Sequence, residues 1–549
     1  MSEATTPEPK KWTLMFYMAS DNPLVISIVS QLKAIKAAGY DPNVNVIAQF
    51  DPYAEGTPTH IFDVNLINKA KAKDKNPNIG FGGESDVRNL MEDKLWRHET
   101  GRNGDSLIRS AIKDVMASKQ ISYDPPIAPE LNGTNGGPGT RRYEPDPYTS
   151  LHTFINFCCE KYPAEHYMLF ILGHGVVVGN DIFLYDVHAE KHSITLKEMA
   201  NCLSEFKEKI EEEQEPKGTF ELVSFNSCSV SSLEVAYELK NTANYMLASQ
   251  GPTFVGSWPY REILMRIFKD RKDVGTLISN IFDYCVQNSA DFLLAGYSYQ
   301  LTLCDLRTIS DVSEPLGNLS KALIDGLKGP ERDVVADVLV YAHWKSQSFF
   351  QEMYTDLYDF CECVIENPAD TQSIQAIKSA CVELTRTLAK PSGKGNRFNE
   401  NRIVVAADFV GPAYQYSHGL SVYFPWTEPS EDSHILQQYK DYKLSEDLTD
   451  SWLDFLKVYF EETRRDPVLS AVKTLTAEQE LQEDMASHVY RGEGQLGGFA
   501  LNKSDPKDKT GNDCECPPFK NYPRDTRARK ERRAQAQGIP LGETVTSAA

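Results

Sequence analysis

Two short runs of this chain, HYMLFIL at residues 166–172 and FELVSF at residues 220–225, consist mostly of apolar side chains. Such runs are expected of strands whose sheet is covered on both faces. Along the chain they alternate with helix-length amphipathic segments, which is typical of a mainly parallel sheet flanked by helices. The sequence therefore predicts the α/β fold class.

The same patterns locate the individual elements. Strands are predicted at residues 12–18, 43–50, 166–172, 220–225 and 245–249. Helices are predicted at residues 23–38, 105–118, 148–161, 196–209 and 230–239. Two late strands, at residues 402–409 and 419–424, either extend this sheet or build a second lobe.

Length and composition divide the chain into domains and tails. At 549 residues it exceeds one ordinary hydrophobic core, so two domains with tails are expected. The first is predicted at 12–265, with a flexible Pro- and Gly-rich insertion near 124–147, and a helix-rich C-terminal part at 266–465. Residues 1–11 and, after one helix, the tail within 466–549 are predicted to be disordered.

Net charge and cysteine usage limit the partners and the compartment. The formal charge of -21 would repel a polyphosphate, so nucleic acid is not expected as a partner. MSEATTPEPKK contains no apolar leader, and the apolar run after it is too short to span a bilayer. The eleven cysteines are scattered without the framework of a disulfide-rich domain. A cytoplasmic protein without a membrane partner is predicted, either a monomer or an oligomer of unknown size.

A histidine and a cysteine stand at the ends of the two apolar strands. The first strand stops at Gly173-His174-Gly175, and the second stops shortly before Cys228. In open α/β sheets, ligands bind beyond the carboxyl ends of the strands. His174 and Cys228 are therefore expected to face one crevice.

These residue types suit nucleophilic catalysis. A thiol is mostly protonated at neutral pH, and a nearby imidazole and a helix N-terminus would both favour the reactive thiolate. The helix predicted at 230–239 begins just after Cys228, so its free N–H groups are expected to point toward the sulfur. His174 would protonate a leaving amine, and the N–H groups of Gly175 and Cys228 would stabilise an oxyanion.

Each of these two signals also has a purely structural explanation. A cysteine at a strand end is usually a small buried apolar residue, and Gly-His-Gly is usually a turn. His174 precedes Cys228 by 54 residues, close to the caspase spacing, but such signatures do not transfer between families. The residues alone leave both a catalytic pair and a structural pair open.

An ordered set of sequence blocks resembles the clostripain family of clan CD cysteine peptidases. The blocks run from WTLMFYMASDN through GHG, the Cys228 strand with SLEVAYEL, ASQGPTFVGSWPY and MYTDLYDF to YSHGLSVYFPW. The resemblance implies a caspase-like fold, a Cys–His dyad without a required third acid, and hydrolysis of peptide bonds through an acyl-enzyme. In this resemblance His174 matches the family's histidine and Cys228 its cysteine.

One position departs from the family pattern. Family members usually carry Asp two residues before the cysteine, in a pocket for Arg or Lys, whereas this chain has Asn226. The resemblance therefore implies a weakened preference for basic residues, because the charge partner is lost. The other predicted substrate-binding residues are Ser249 and Trp258, the first and last residues of the stretch SQGPTFVGSW.

The resemblance also bears on regulation. Family members are often cut between the histidine and the cysteine, so the charged stretch KEKIEEEQEPK at 207–217 is the expected place for a self-cut. Some members depend on calcium, but no cofactor and no metal site are predicted here, since Glu211, Glu212 and Glu213 are typical of a solvated helix end. Proteins or peptides are the expected substrates. A catalytically silent caspase-like interaction module is the alternative.

Overall fold

The structure is a computed structural model that describes residues 9–22, 24–51, 60–64, 146–175, 177–178, 183–187, 189–215, 217–253, 257–269, 273–288, 298–350, 352–388, 403–429 and 434–463. The helix predicted at 105–118 and the tail predicted within 466–549 lie outside the described residues. So do residues 1–8 of the predicted N-terminal tail and residues 124–145 of the predicted insertion.

The described residues form two sheets and thirteen α-helices. The strands are β1 (Lys10–Met18), β2 (Val44–Phe50), β3 (His60–Asp63), β4 (Ala164–Leu172), β5 (Thr219–Asn226), β6 (Tyr245–Ala248), β7 (Tyr299–Asp305), β8 (Ser348–Phe349), β9 (Tyr354–Asp356), β10 (Val404–Val410) and β11 (Ser421–Tyr423). The helices are α1 (Val25–Ala37), α2 (Pro147–Lys161), α3 (Leu196–Glu208), α4 (Leu233–Glu238), α5 (Tyr260–Lys269), α6 (Val274–Asn288), α7 (Ser313–Lys328), α8 (Arg332–Lys345), α9 (Leu357–Glu366), α10 (Gln372–Leu388), α11 (Ile435–Lys440), α12 (Lys443–Glu446) and α13 (Trp452–Thr463).

The main sheet has eight strands in the order β10-β7-β6-β5-β4-β1-β2-β3. The five central strands run parallel, and β3, β7 and β10 join antiparallel toward the edges. This confirms the predicted mainly parallel α/β sheet. Of the two late strands, β10 extends the main sheet, whereas β11 pairs with β9 in a separate three-stranded sheet. The alternative of an extended sheet therefore holds for β10, whereas the second lobe stays a prediction.

Helices cover the main sheet on both faces. Along β1, Leu14 and Phe16 enter the apolar layer under α1, α5 and α6, whereas Met15 and Tyr17 enter the opposite layer. That second layer contains α2, α3 and α4 together with the C-terminal helices α7 to α10 and α13. Coverage on both faces is the reason that β4 and β5 are mostly apolar.

Helix starts follow the local sequence. α2 begins with Pro147 in its first turn, and the Asp146 carboxylate accepts the Thr149 N–H at 3.0 Å. α3 begins with a capping box between Thr195 and Glu198. None of the helices in the described part of the chain combines the length and the apolar content that a membrane span requires.

Candidate active site

The sheet register brings His174 and Cys228 to the same edge. β4 and β5 are neighbouring parallel strands in which Leu172 pairs with Asn226. Two residues beyond that pair the chain reaches His174 on one strand and Cys228 on the other. Both residues therefore lie past the carboxyl ends of adjacent central strands, where α/β folds place their ligands.

The backbones after these strands are in direct contact. A Cβ atom built on Gly175 would stand 1.7 Å from the Cys228 carbonyl oxygen and 2.5 Å from the Cys228 nitrogen. Only glycine fits at this position, because any side chain would overlap the backbone of the cysteine. The two predicted oxyanion donors, the N–H groups of Gly175 and Cys228, thus belong to adjoining segments.

Burial keeps both predicted catalytic groups neutral. Cys228 is 5% exposed and His174 is 1% exposed. Removal from water raises the pKa of the Cys228 thiol to about 11 and lowers the pKa of the His174 imidazole to about 4. Within the described residues, neither ring nitrogen of His174 has a hydrogen-bond partner. At neutral pH the pair is therefore a thiol and a neutral imidazole, not a thiolate–imidazolium ion pair.

Cys228 sits in a turn that a second segment holds in place. We call residues 227–232 the nucleophile turn, after the predicted role of Cys228, and residues 249–253 the strap. The Ser229 N–H donates to the Gly251 carbonyl at 3.0 Å, and the Val230 and Ser231 N–H groups both donate to the Ser249 carbonyl at 2.9 Å. Ser229 has a φ of 53°, a left-handed conformation that is uncommon for serine.

The predicted helix start at residue 230 is wrong. α4 begins at Leu233, where the Ser232 hydroxyl accepts the Val235 N–H at 3.3 Å. The N–H groups of residues 229–231 bind the strap and cannot point toward the sulfur. The Cys228 sulfur instead accepts the N–H of Thr253 at 3.3 Å. This donor lies 25 residues downstream, so no local pattern could have found it.

All three predicted substrate-binding residues are buried. The Asn226 amide donates to the Tyr260 hydroxyl at 3.2 Å. The Ser249 hydroxyl accepts the Gly251 N–H at 3.2 Å, within the strap. The Trp258 indole N–H donates to the Tyr299 hydroxyl at 2.9 Å inside the layer under α5 and α6. None of them faces solvent in this conformation, and their contacts with a substrate stay predictions.

The C-terminal part completes the site, which the sequence did not indicate. The Tyr354 hydroxyl accepts the Val178 N–H at 2.9 Å and donates to the Val178 carbonyl at 3.0 Å, so β9 holds the segment after His174. The Ser421 N–H donates to the Ser231 carbonyl at 3.2 Å, so β11 holds the nucleophile turn. The only sequence signal for these contacts was that MYTDLYDF and YSHGLSVYFPW belong to the ordered blocks.

The stretch predicted for a self-cut is largely folded. α3 continues into a π-helical turn at Lys209–Glu213, where the Ile210 side chain is fully buried. The Gln214 side chain accepts the Tyr167 hydroxyl at 2.8 Å. A cut between residues 207 and 214 would therefore require local unfolding, whereas Glu215 and Lys217 are exposed. Self-cutting stays a prediction.

Two clusters that contain acidic residues bear on whether the chain could bind a metal ion. Glu211 pairs with Lys207 at 3.8 Å on the surface. Among the residues that the structure describes, one group could hold a metal ion: Asp359, Glu362 and His418 offer ligand atoms within 4.8 Å of one another. Calcium takes oxygen ligands, so an imidazole does not suit it. No metal site is therefore assigned, and calcium stays what the family resemblance implies for some members only.

Comparisons with known proteins identify the family. The sequence model of the clostripain family matches residues 141–456, more than half of the chain and a span that includes His174 and Cys228. Clostripain from Hathewaya histolytica is 22% identical over 478 residues, which cover 77% of this chain and 76% of that protein.

Two solved structures are also similar to this chain. One is an inactive zymogen of a C11 protease from Parabacteroides distasonis, 16% identical with a TM-score of 0.45, covering 80% of this chain and 99% of that one. The other is a secreted C11 cysteine protease from Bacteroides thetaiotaomicron in complex with an irreversible peptide inhibitor, 11% identical with a TM-score of 0.46, covering 82% of this chain and 99% of that one. These two likenesses carry no weight for function, whereas the family match extends over most of the described site. The chain therefore belongs to the clostripain family.

Proposed function

We propose that this chain hydrolyses peptide bonds with Cys228 as the nucleophile and His174 as the proton carrier. Membership of the clostripain family makes the chain a cysteine endopeptidase. The observation that supports these two residues is the contact between the backbones of Gly175 and Cys228, which brings the segments that carry both residues together at the carboxyl edge of the sheet.

The reaction follows from the groups at this edge. The Cys228 thiol gives its proton to His174, and the sulfur attacks the scissile carbonyl carbon. His174 then protonates the leaving amine, and the acyl-enzyme remains on the sulfur. A water molecule loses a proton to His174 and attacks the thioester, which releases the acid and restores the thiol. The Gly175 and Cys228 N–H groups would stabilise the oxyanion of both tetrahedral intermediates.

The described conformation corresponds to a resting state in this proposal. A dyad that is almost fully buried cannot contact a peptide. Its imidazole, whose pKa burial lowers to about 4, is also a weak base and removes the proton of the thiol poorly. The edge of the sheet must therefore open before a substrate binds. Cleavage of the chain between His174 and Cys228, within or beside the exposed part of residues 207–217, is the proposed activating event.

The substrates are proteins or peptides, and we expect a weaker preference for Arg or Lys than the family pattern implies. The Asn226 side chain is a neutral amide bound to the Tyr260 hydroxyl, so it supplies no charge to a basic side chain. A cytoplasmic location is part of the proposal. It is supported by the nine described cysteines, all of which are free thiols.

Peptide-library cleavage by three proteins tests the function: wild type, Cys228→Ala and a matched control, Cys285→Ala. Cys285 is a fully buried free thiol of α6 and has no role in the proposed reaction. We expect Cys228→Ala to abolish hydrolysis and labelling by a thiol-alkylating peptide, and Cys285→Ala to retain both. The opposite outcome would favour the silent interaction module. In that case purified wild-type protein is inactive, both intact and after limited proteolysis, and its labelling does not depend on Cys228.

Intact mass tests the activating cut. Purified wild type is expected to separate into two chains that meet between residues 207 and 217, and Cys228→Ala is expected to remain whole. Identical single chains in both preparations would contradict self-processing. This result would leave the peptidase assignment unaffected.

A further inference from the structure

One buried side chain of the strap, that of Gln250, anchors the strap to the C-terminal part. The Gln250 amide donates to the Asp356 carboxylate at 3.0 Å and accepts the Gly419 N–H at 3.1 Å. Its backbone N–H donates to the Gln300 side chain of β7 at 2.8 Å. Gln250 and Asp356 are both 0% exposed, so water cannot replace these bonds.

Asp356 is itself fixed by groups on both sides. The carboxylate oxygen that meets Gln250 also accepts the His418 N–H at 2.6 Å. The other oxygen accepts the Asp359 N–H at 2.8 Å, because Asp356 is the N-cap of α9. Asp356 therefore has little freedom to move, and Gln250 is tied to a rigid point.

The backbone on either side of Gln250 determines the shape of the nucleophile turn. The Ser249 and Gly251 carbonyls accept the three N–H groups of residues 229–231, directly after Cys228. The Gln250 side chain itself binds Asp356 and Gly419. A displacement of Gln250 would consequently move both carbonyls, and with them the strained residue Ser229.

We propose that Gln250 and Asp356 are positioning residues for Cys228. Their hydrogen bond transmits the rigidity of β9 through the strap to the nucleophile turn and sets the place of the sulfur relative to His174. This inference rests on the proposed function, since it assigns a role in the chemistry of Cys228. It also explains why a residue of the C-terminal part, 106 positions downstream, belongs to the site.

Two near-isosteric variants separate the hydrogen bond from packing. Gln250→Met keeps the bulk of the side chain and removes both bonds at every pH. Gln250→Glu places a carboxylate against Asp356 at high pH, but once that new carboxyl group is protonated it can donate to Asp356 and still accept the Gly419 N–H. The titratable groups that face this position are Asp356 and, behind it, Asp359 and His418. Because these groups are present in wild type as well, each variant is compared with wild type at the same pH.

We expect Gln250→Met to lower kcat about tenfold or more from about pH 5.5 to about pH 8.5, with KM within about threefold of wild type. Gln250→Glu should match Gln250→Met at the upper pH and recover at least about fivefold of the lost kcat at the lower pH. Circular dichroism and thermal unfolding at both pH values monitor the fold. If Gln250→Glu is unfolded at the upper pH, the two variants are compared at the lower pH alone.

A Gln250→Glu to wild-type ratio of kcat that does not change with pH, or equal activities of the two variants at the lower pH, would overturn the inference. So would wild-type kcat in Gln250→Met. Cys228→Ala is measured in parallel. Activity in that variant would remove the proposed function itself, whereas an inactive Cys228→Ala beside a fully active Gln250→Met would remove only the role of Gln250.

Discussion

Replacing Gly175 by alanine tests the contact on which the site depends. The added Cβ would stand 1.7 Å from the Cys228 carbonyl oxygen, whereas real Cβ contacts essentially never fall below 3.0 Å. The two backbone segments must therefore separate by about 1.3 Å, and the neighbouring atoms are backbone that cannot rotate away. The conflict is one of space, since the φ of Gly175 is not in the left-handed region.

The displacement sets the size of the effect. Overpacking of this kind costs roughly 1–3 kcal/mol of unfolding free energy, and occasionally more. A misplacement of about 1 Å between reacting groups can lower the rate about a hundredfold. We expect Gly175→Ala to lose about 3 kcal/mol of stability and at least about a hundredfold in kcat/KM.

Urea denaturation and peptide hydrolysis measure the two quantities, with Gly317→Ala as the matched control. Gly317 lies in α7, and among the described residues a Cβ there would meet only the Leu448 side chain at 3.6 Å, an ordinary contact. This control should gain about 0.5–1 kcal/mol of stability and keep its activity, because alanine replaces glycine inside a helix. A Gly175→Ala protein with kcat/KM within about threefold of wild type would refute the contact, and with it the geometry of the pair.

Four further outcomes are expected. Because burial lowers the pKa of His174 to about 4, the stability that this residue contributes is present above about pH 6.5 and falls by roughly 3 kcal/mol as pH drops to about 4. His174→Gln should remove this fall when the unfolding free energy from denaturation is plotted against pH. Tyr354→Phe removes both hydrogen bonds to Val178 and should cost about 1–3 kcal/mol of stability with a fall in kcat, measured by thermal unfolding and hydrolysis; unchanged values would exclude a role for the hydroxyl. Ser229→Gly should raise the unfolding free energy by about 1 kcal/mol, because glycine adopts a φ of 53° without strain; a loss of stability would show that the serine side chain matters more. Asn226→Asp should raise kcat/KM for Arg over Gln at the cleavage position by about tenfold in a peptide library, and an unchanged ratio would place this side chain outside the pocket.

The sequence is sufficient to predict that His174 and Cys228 lie close together. β4 and β5 follow each other along the chain, both are covered on two faces, and consecutive parallel strands usually lie side by side. Residues at their carboxyl ends are then neighbours. The mainly parallel sheet and the flanking helices followed from the same alternation of patterns.

The local structure around the Cys228 sulfur could not be predicted from the sequence. Helical spacing of apolar residues predicted a helix from residue 230, but the strap takes the N–H groups of residues 229–231 and delays α4 to Leu233. The strap lies about 20 residues downstream, and its own anchor, Asp356, lies 106 residues further on. Hydrogen bonds between such distant segments leave no periodic signal, and neither does the positive φ of Ser229.

The bond between Ser421 and the nucleophile turn has a consequence for biosynthesis. Ribosomes deliver the chain from its N-terminus, so His174 and Cys228 emerge long before the residues that brace them. Gly419 and Ser421, which bind Ser231 through its hydroxyl and its carbonyl, are among the last of the described residues to be translated. A growing polypeptide thus carries Cys228 without the brace. Under the proposed function, the order of translation itself then defers any attack on the ribosome-bound chain.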